Sequence, residues 1–145
     1  MRVAEIMAQT IEFIAPDMTI QAAATLMGEL DVGALPVGTP EDLQGILTDR
    51  DILFRVVAEG RNNARVRVRE AMSSLIFSCS PDDTLAVAID IMSSYHVRRL
   101  PVQDENGTVV GWITLSDVAR QLLLETEAIR SALDELSVNP GQPAS

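Results

Sequence analysis

One seven-residue pattern, Gly-x-x-Thr-x-x-Asp, occurs twice in this chain of 145 residues and carries side chains suited to holding a small ligand. Its defined positions are Gly45, Thr48, Asp51, Gly111, Thr114 and Asp117. A carboxylate at the start of a helix can accept both hydroxyls of a ribose diol, and a threonine three residues earlier can reach the sugar or a phosphate. The same Thr-x-x-Asp spacing fits a capping box, which satisfies N–H groups of the first helical turn. The pattern therefore predicts a ribose site, a helix cap, or both.

The basic residues are a second source of binding chemistry, because all 11 of them are arginines. A guanidinium group forms paired hydrogen bonds with phosphate or carboxylate. Arg98 and Arg99 are adjacent, and we expect them to bind phosphate; the alternative is an ion pair with Asp or Glu at a solvated strand end. Four more arginines lie at 61–69. There we expect an exposed connection, with a partner subunit or outer ligand phosphates as the alternative.

The elements that position these residues follow from an internal repeat. An offset of 65 residues gives 13 identities over the 35 positions from 3 to 37, and an offset of 66 aligns the later Gly, Thr and Asp. In each half a β-rich run (11–14, 75–79) precedes a helix, two strands (the second at 43–47 or 109–113) and another helix. One such unit buries little surface alone. We therefore predict an α/β (α+β) fold of two β-α-β-β-α repeats, packed sheet against sheet about a pseudo-twofold axis.

This doubled frame, with Leu-Pro-Val on the first central strand of each half, resembles a tandem pair of CBS domains, often called a Bateman module. The resemblance divides the chain into a first CBS domain (1–60), an arginine-rich linker (61–67), a second CBS domain (68–124) and a helical extension with a tail (125–145). It implies a free-standing, non-catalytic sensor that binds an adenosine-containing ligand in the clefts between the halves and signals to a partner. AMP, ADP or ATP is the implied ligand, with S-adenosylmethionine or NAD as further candidates.

The resemblance also assigns ligand contacts to individual residues. The implied ribose- and phosphate-binding residues are Thr48, Asp51, Thr114, Asp117, Arg98, Arg99 and Ser78. In place of the two arginines the first half has Gly33 and Ala34, and in place of Ser78 it has Phe13, for which we expect packing in the core. The two clefts are therefore expected to be unequal.

Composition restricts other classes of function. With 21 acidic side chains, a net charge of −10 and few aromatic residues, the chain is poorly suited to nucleic acid. Cys79 and His96 are the single cysteine and histidine, so we expect neither a metal site nor a catalytic triad. The longest uncharged stretches, 18–28 and 106–116, are too short to span a bilayer. Because a secretory signal pattern is also missing, we expect a cytoplasmic protein without membrane insertion.

Beyond the repeats, the last helix is predicted to continue to about Leu136. Leu122, Ile129, Leu133 and Leu136 would form an apolar stripe between charged positions. We expect this stripe to pair with a second chain in a homodimer; folding back on the domain is the alternative. The residues from Asn139 onward are predicted to be a mobile tail.

The alternative to a sensor is a ligand-free dimerisation or docking module whose Thr-x-x-Asp motifs are only caps.

Overall fold

Each half of the chain forms a helix, a β-hairpin and a second helix, in the order that the repeat predicts. The computed structural model describes residues 1–137, and the tail predicted from Asn139 lies outside this range. The elements are α1 (Ile20–Leu30), β1 (Ala34–Thr39), β2 (Asp42–Thr48), α2 (Asp49–Ile52), a π-helical turn (Leu53–Val57), α3 (Val68–Ala71), α4 (Leu85–Tyr95), β3 (Arg99–Gln103), β4 (Val109–Thr114) and α5 (Leu115–Ser137), with a 3₁₀ turn at Val3–Glu5.

Helices α1 and α4 begin and end in the same way. The hydroxyl of Thr19 accepts the N–H of Ala22, and that of Thr84 accepts the N–H of Val87, so each threonine caps its helix. Both helices end at a residue in the left-handed conformation, Asp31 in one half and His96 in the other. These stops turn the chain into the first strand of each hairpin.

Each hairpin contributes the centre of one of two hydrophobic cores. In the first, Leu35 pairs with Leu47 and both are buried. In the second, Leu100 pairs with Ile113 and both are fully buried. The helices add repeat-equivalent residues to these cores, namely Ile20, Ala23 and Met27 in one and Leu85, Ala88 and Met92 in the other. The repeat in sequence is therefore a repeat in packing.

The β-rich runs at 11–14 and 75–79 do not form the full strands that their composition predicts. Each contributes one parallel bridge: Ile14 donates to the Pro36 carbonyl and accepts from Gly38, while Cys79 bonds in the same way to Pro101 and Gln103. To continue each parallel ladder, the next N–H groups would have to come from Pro36 and Pro101 in the hairpins, or from Pro16 and Pro81 two residues after the bridged Ile14 and Cys79. Because proline has no N–H, the ladder ends after a single residue.

The segment that opens each half packs into the other half. Val3 is fully buried in the second core, whereas Val68 and Ala71 are fully buried in the first. The bridges between halves come in reciprocal pairs: Arg2–Thr84 matches Thr19–Arg67, and Ala8–Trp112 matches Ile46–Ser73. Such reciprocity is the property of a twofold arrangement. We call residues 1–8 and 66–73 the crossing segments.

Three of the four arginines at 61–69 hold the second crossing segment in place. Arg67 Nη1 donates to the Asp17 carbonyl at 2.9 Å, and Arg61 forms a 3.1 Å ion pair with Glu70. Arg69 also pairs with Asp17. The arginines are largely exposed, as predicted, and these contacts show that they also anchor the connection to the first half.

Helix α5 follows β4 without a break and extends past the second core. Val118 is fully buried, but from Thr126 to Leu136 every residue is exposed. The predicted helical extension is confirmed, and the alternative that it folds back on the domain is wrong, since a helix packed on the domain would have buried residues between 126 and 136. Among residues 1–137 no helix has the length and apolar character needed to cross a bilayer.

Candidate functional site

A cleft of about 1030 Å³ lies between the start of α2 in the first half and the turn into β3 in the second. Its walls include Thr48, Asp51, Arg98 and Arg99, four of the seven residues predicted to bind a ligand. The structure therefore combines the Thr-x-x-Asp motif of one half with the arginine pair of the other. The two groups are about 50 residues apart in sequence.

Asp51 sits at the base of this cleft with one carboxylate oxygen engaged. Its Oδ2 accepts the Thr48 N–H at 3.0 Å, and its own N–H donates to Thr48 Oγ1 at 3.1 Å, which completes a capping box. The other oxygen, Oδ1, has only longer contacts, at 3.5 Å to Ser73 Oγ and 3.7 Å to Arg55 Nη1. A carboxylate offers about four acceptor positions, so Oδ1 retains capacity for a ligand hydroxyl.

The arginine pair opposite has no carboxylate partner among residues 1–137. Within the described part of the chain neither the Arg98 nor the Arg99 guanidinium lies within 4 Å of an acidic group. The structure thus does not contain the ion pair that was the alternative to a phosphate role. Arg99 extends toward Gly33, where a Cβ would be 3.6 Å from its Nη2 and 3.2 Å from the Asp49 carboxylate. A small residue at 33 leaves room for this guanidinium.

The glycine of the motif serves the crossing segment. A Cβ on Gly45 would lie 2.7 Å from Met72 Sδ and 2.8 Å from the Ser73 carbonyl oxygen, closer than real Cβ contacts allow. The backbones of Ile46 and Ser73 are joined there by two 2.9 Å hydrogen bonds. Gly45 therefore lets the crossing segment approach β2 and brings Ser73 beside Asp51.

The remaining predicted residues, Thr114, Asp117 and Ser78, do not line this cleft. Thr114 and Asp117 form a capping box of their own, in which Asp117 Oδ2 accepts the Thr114 N–H at 3.1 Å. In the repeat alignment, Ala8 is equivalent to Ser73, and Gly33 and Ala34 are equivalent to Arg98 and Arg99. Asp117 is therefore expected to lack the polar neighbours that Asp51 has. A ligand role for these three residues stays a prediction. The inequality of the two clefts also stays a prediction, because it rests on these same sequence differences.

Several lining residues were not among the predicted site residues. Ser73, Leu75, Phe54 and His96 all face the cleft, and Leu75 is 75% exposed. Phe54 also carries a cation–π contact, with the Arg50 guanidinium 5.0 Å from its ring centre. An exposed leucine and phenylalanine beside arginines are a signal of binding, but sequence alone does not show that they are exposed together. Phe13, expected in the core, is half-buried and belongs to neither core cluster.

Fold and cleft together define a two-repeat module with a polar site between its repeats. Comparison with known proteins identifies the repeats: the CBS domain family matches residues 3–58 and 68–124. The chain belongs to this family, with two CBS domains in tandem, and such pairs are generally regulatory. It is 38% identical over 135 residues to the CBS domain-containing protein YhcV of Bacillus subtilis (strain 168), covering 93% of this chain and 94% of YhcV.

Solved structures show the same architecture. A protein with CBS domains from Burkholderia ambifaria MC40-6 superposes with a TM-score of 0.80 at 28% identity, covering 86% of this chain and 95% of that one. A hexameric CBS-CP12 protein from bloom-forming cyanobacteria superposes with a TM-score of 0.74 at 29% identity, covering 82% and 66%. Neighbours of this fold therefore include a self-associating protein.

Proposed function

We propose that this CBS pair is a non-catalytic sensor that binds an adenosine-containing nucleotide, AMP, ADP or ATP, in the cleft beside Asp51. The observation that carries the proposal is a shared cleft: Asp51 Oδ1 has only contacts of 3.5 Å and 3.7 Å, and among the described residues no acidic group lies within 4 Å of either the Arg98 or the Arg99 guanidinium. The ribose diol would donate to Asp51 Oδ1, and the phosphates would accept from Arg98 and Arg99. S-adenosylmethionine and NAD belong in the same ligand panel.

The apolar part of the cleft suits the base. Phe54 and Leu75 are both more than half exposed at its wall, so a flat ring placed between them would remove apolar surface from water. The cleft's volume of about 1030 Å³ is at the upper end of small-ligand sites, which leaves space for a base, a sugar and several phosphates.

Signalling follows from the composite nature of the site. A ligand held by Thr48 and Asp51 of the first half and by Arg98 and Arg99 of the second would touch both halves. It would favour the relative position of the halves in which all these contacts form. A coupling of about 1–3 kcal/mol is enough to change what a partner protein recognises.

The test compares two aspartates that cap helices identically. Asp51→Asn keeps a side-chain oxygen for the Thr48 N–H but removes the charge, and Asp117→Asn makes the same change away from the arginines. Titration calorimetry with AMP, ADP, ATP, S-adenosylmethionine and NAD, with GTP for comparison, should show one preferred ligand. We expect Asp51→Asn to weaken binding in this cleft about 10- to 100-fold, as for loss of hydrogen bonds to a charged group. Asp117 does not line this cleft, so Asp117→Asn should leave the affinity of this cleft within about twofold.

A ligand-free docking module is the second candidate, and the two complete capping boxes favour it. In that case no compound of the panel would bind at millimolar concentration. Equal losses in Asp51→Asn and Asp117→Asn would also contradict the ribose assignment, because they would report a general effect on the helices.

We further propose that the chain acts as a cytoplasmic homodimer. The exposed apolar stripe of α5 and the existence of a hexameric structural neighbour support self-association. Fractionation of cells that express the full chain tests the compartment, and its mass in solution tests the dimer.

A further inference from the structure

The outer part of α5 carries an apolar seam with the spacing of a coiled coil. Its members alternate four and three residues apart: Leu122, Thr126, Ile129, Leu133 and Leu136. The four apolar members are between 42% and 80% exposed. A 4-3 alternation is the repeat that lets two helices supercoil about each other. We call these five residues the α5 seam.

The one polar member of the seam is already satisfied. Thr126 Oγ1 donates to the Leu122 carbonyl oxygen at 2.8 Å, within its own helix. Burying this side chain therefore leaves no donor without a partner. All five side chains of the seam can therefore be buried in an interface without leaving an unpaired hydrogen-bond donor.

Charges beside the seam select the direction of pairing. Glu125 immediately precedes the seam position Thr126, and Arg130 immediately follows the seam position Ile129. In a parallel two-stranded coiled coil, residues at these flanking positions meet across the interface when they are five residues apart. Glu125 of one copy would therefore face Arg130 of the other. Symmetry would form this pair twice. In an antiparallel coil Glu125 and Arg130 do not face each other.

We propose that the α5 seam binds the α5 seam of a second copy of this chain in a parallel coiled coil, with Glu125 and Arg130 paired across it. The twofold axis then runs along the two helices and places both CBS pairs at the same end. This inference rests on the proposed homodimer and is independent of any ligand. The seam of about two heptads is short, so the dimer should dissociate on dilution.

Two exposed leucines provide a matched pair of variants. Leu133 belongs to the seam and is 60% exposed, whereas Leu124 lies on the opposite side of α5 and is 54% exposed. We expect light scattering after size exclusion to give a dimer for the full chain and for Leu124→Asp, and a monomer for Leu133→Asp. Because both side chains are exposed, both variants should fold, which circular dichroism checks. A monomeric full chain overturns the homodimer and the seam together, and a dimer that tolerates Leu133→Asp overturns the seam alone.

Cross-linking tests the direction. Leu136→Cys places a thiol at the far end of the seam, and only a parallel dimer brings the two copies of position 136 together; in an antiparallel dimer of the same seam they are about 21 Å apart. The native Cys79 is buried and should not interfere. Mild oxidation should give a covalent dimer on a non-reducing gel for Leu136→Cys and not for Leu124→Cys. A non-covalent dimer without this cross-link overturns the parallel arrangement and leaves the homodimer standing.

Discussion

Asp51 and Asp117 show how much of a residue's role is decided by its neighbours. Each accepts the N–H of a threonine three residues earlier and so caps a helix. Of the two, Asp51 also lines a cleft with Arg98 and Arg99, which have no acidic partner in the described part of the chain. The cap is a local property that four residues encode. The proposed ribose contact depends on a chain segment from the other half.

Gly45 gives a stability prediction at the same scale. Because a Cβ there would meet the backbone oxygen of Ser73, Gly45→Ala should lower the free energy of unfolding by about 1–3 kcal/mol through overpacking. Gly28 is the matched control: it lies within α1 with nothing near its Cβ position. Gly28→Ala should instead raise stability by about 0.5–1 kcal/mol. Urea denaturation of both variants makes the comparison, and equal effects would refute the close approach.

Cys79 gives a prediction about pH. Burial, reinforced by the nearby Asp83, raises the pKa of its thiol from 9.0 to about 11. The protonated thiol is neutral, so the folded state holds its proton above the pH at which the unfolded chain releases it. Stability from this group is present below about pH 9 and is lost as the pH rises toward 11. We expect iodoacetamide at pH 8 to modify Cys79 in urea but not in the native protein; rapid native labelling would contradict its burial.

At the scale of elements, the crossing segments matter more than the strands that were predicted at 11–14 and 75–79. Prolines on both sides limit each of those runs to a single bridge. The crossing segments 1–8 and 66–73 take the opposite edges of the hairpins, through Ala8 beside Trp112 and Ser73 beside Ile46. Each core is therefore completed by residues of the other half.

The exchange predicts that mutations act on the half that is distant in sequence. Val3→Ala and Val68→Ala each remove a fully buried side chain and should destabilise by about 1–3 kcal/mol. Val32→Ala, at a side chain that is 41% exposed, should change stability by no more than about 0.5 kcal/mol.

Hydrogen exchange locates the effect. Val3→Ala should speed amide exchange in α4, β3 and β4, and Val68→Ala in α1, β1 and β2, because those elements form the cores that each valine enters. Faster exchange in the variant's own half would show that the crossing segments do not support the opposite core.

At the scale of the whole molecule, pseudo-symmetry and function diverge. The backbone repeats itself, but the net charge of −10 makes the chain a poor anion binder except where arginines are unpaired. The cleft beside Asp51 has such arginines, whereas the equivalent place beside Asp117 has Gly33 and Ala34. The proposed phosphate contacts are therefore expected at one of these two repeat-equivalent places.

This asymmetry predicts the stoichiometry. Calorimetric titration of the preferred nucleotide should give one site per chain, and Arg99→Gln should weaken a phosphorylated ligand about 10-fold or more while changing the affinity for adenosine little. Two equal sites per chain would show that the place beside Asp117 also binds and that the arginines are not decisive.

The sequence alone determined the repeat, the order of helices and strands, the capping motifs and the amphipathic α5, because each depends on residues close together in the chain. Tertiary structure decided which residues share a cleft. The packing of the two halves places Asp51 in one cleft with Arg98 and Arg99 and beside Ser73. Alignment of the repeats could not predict these neighbours, because it shows which residues are equivalent and not which residues are in contact. Tertiary structure also showed that Leu75 and Phe54 are exposed, since exposure depends on what the rest of the chain leaves uncovered.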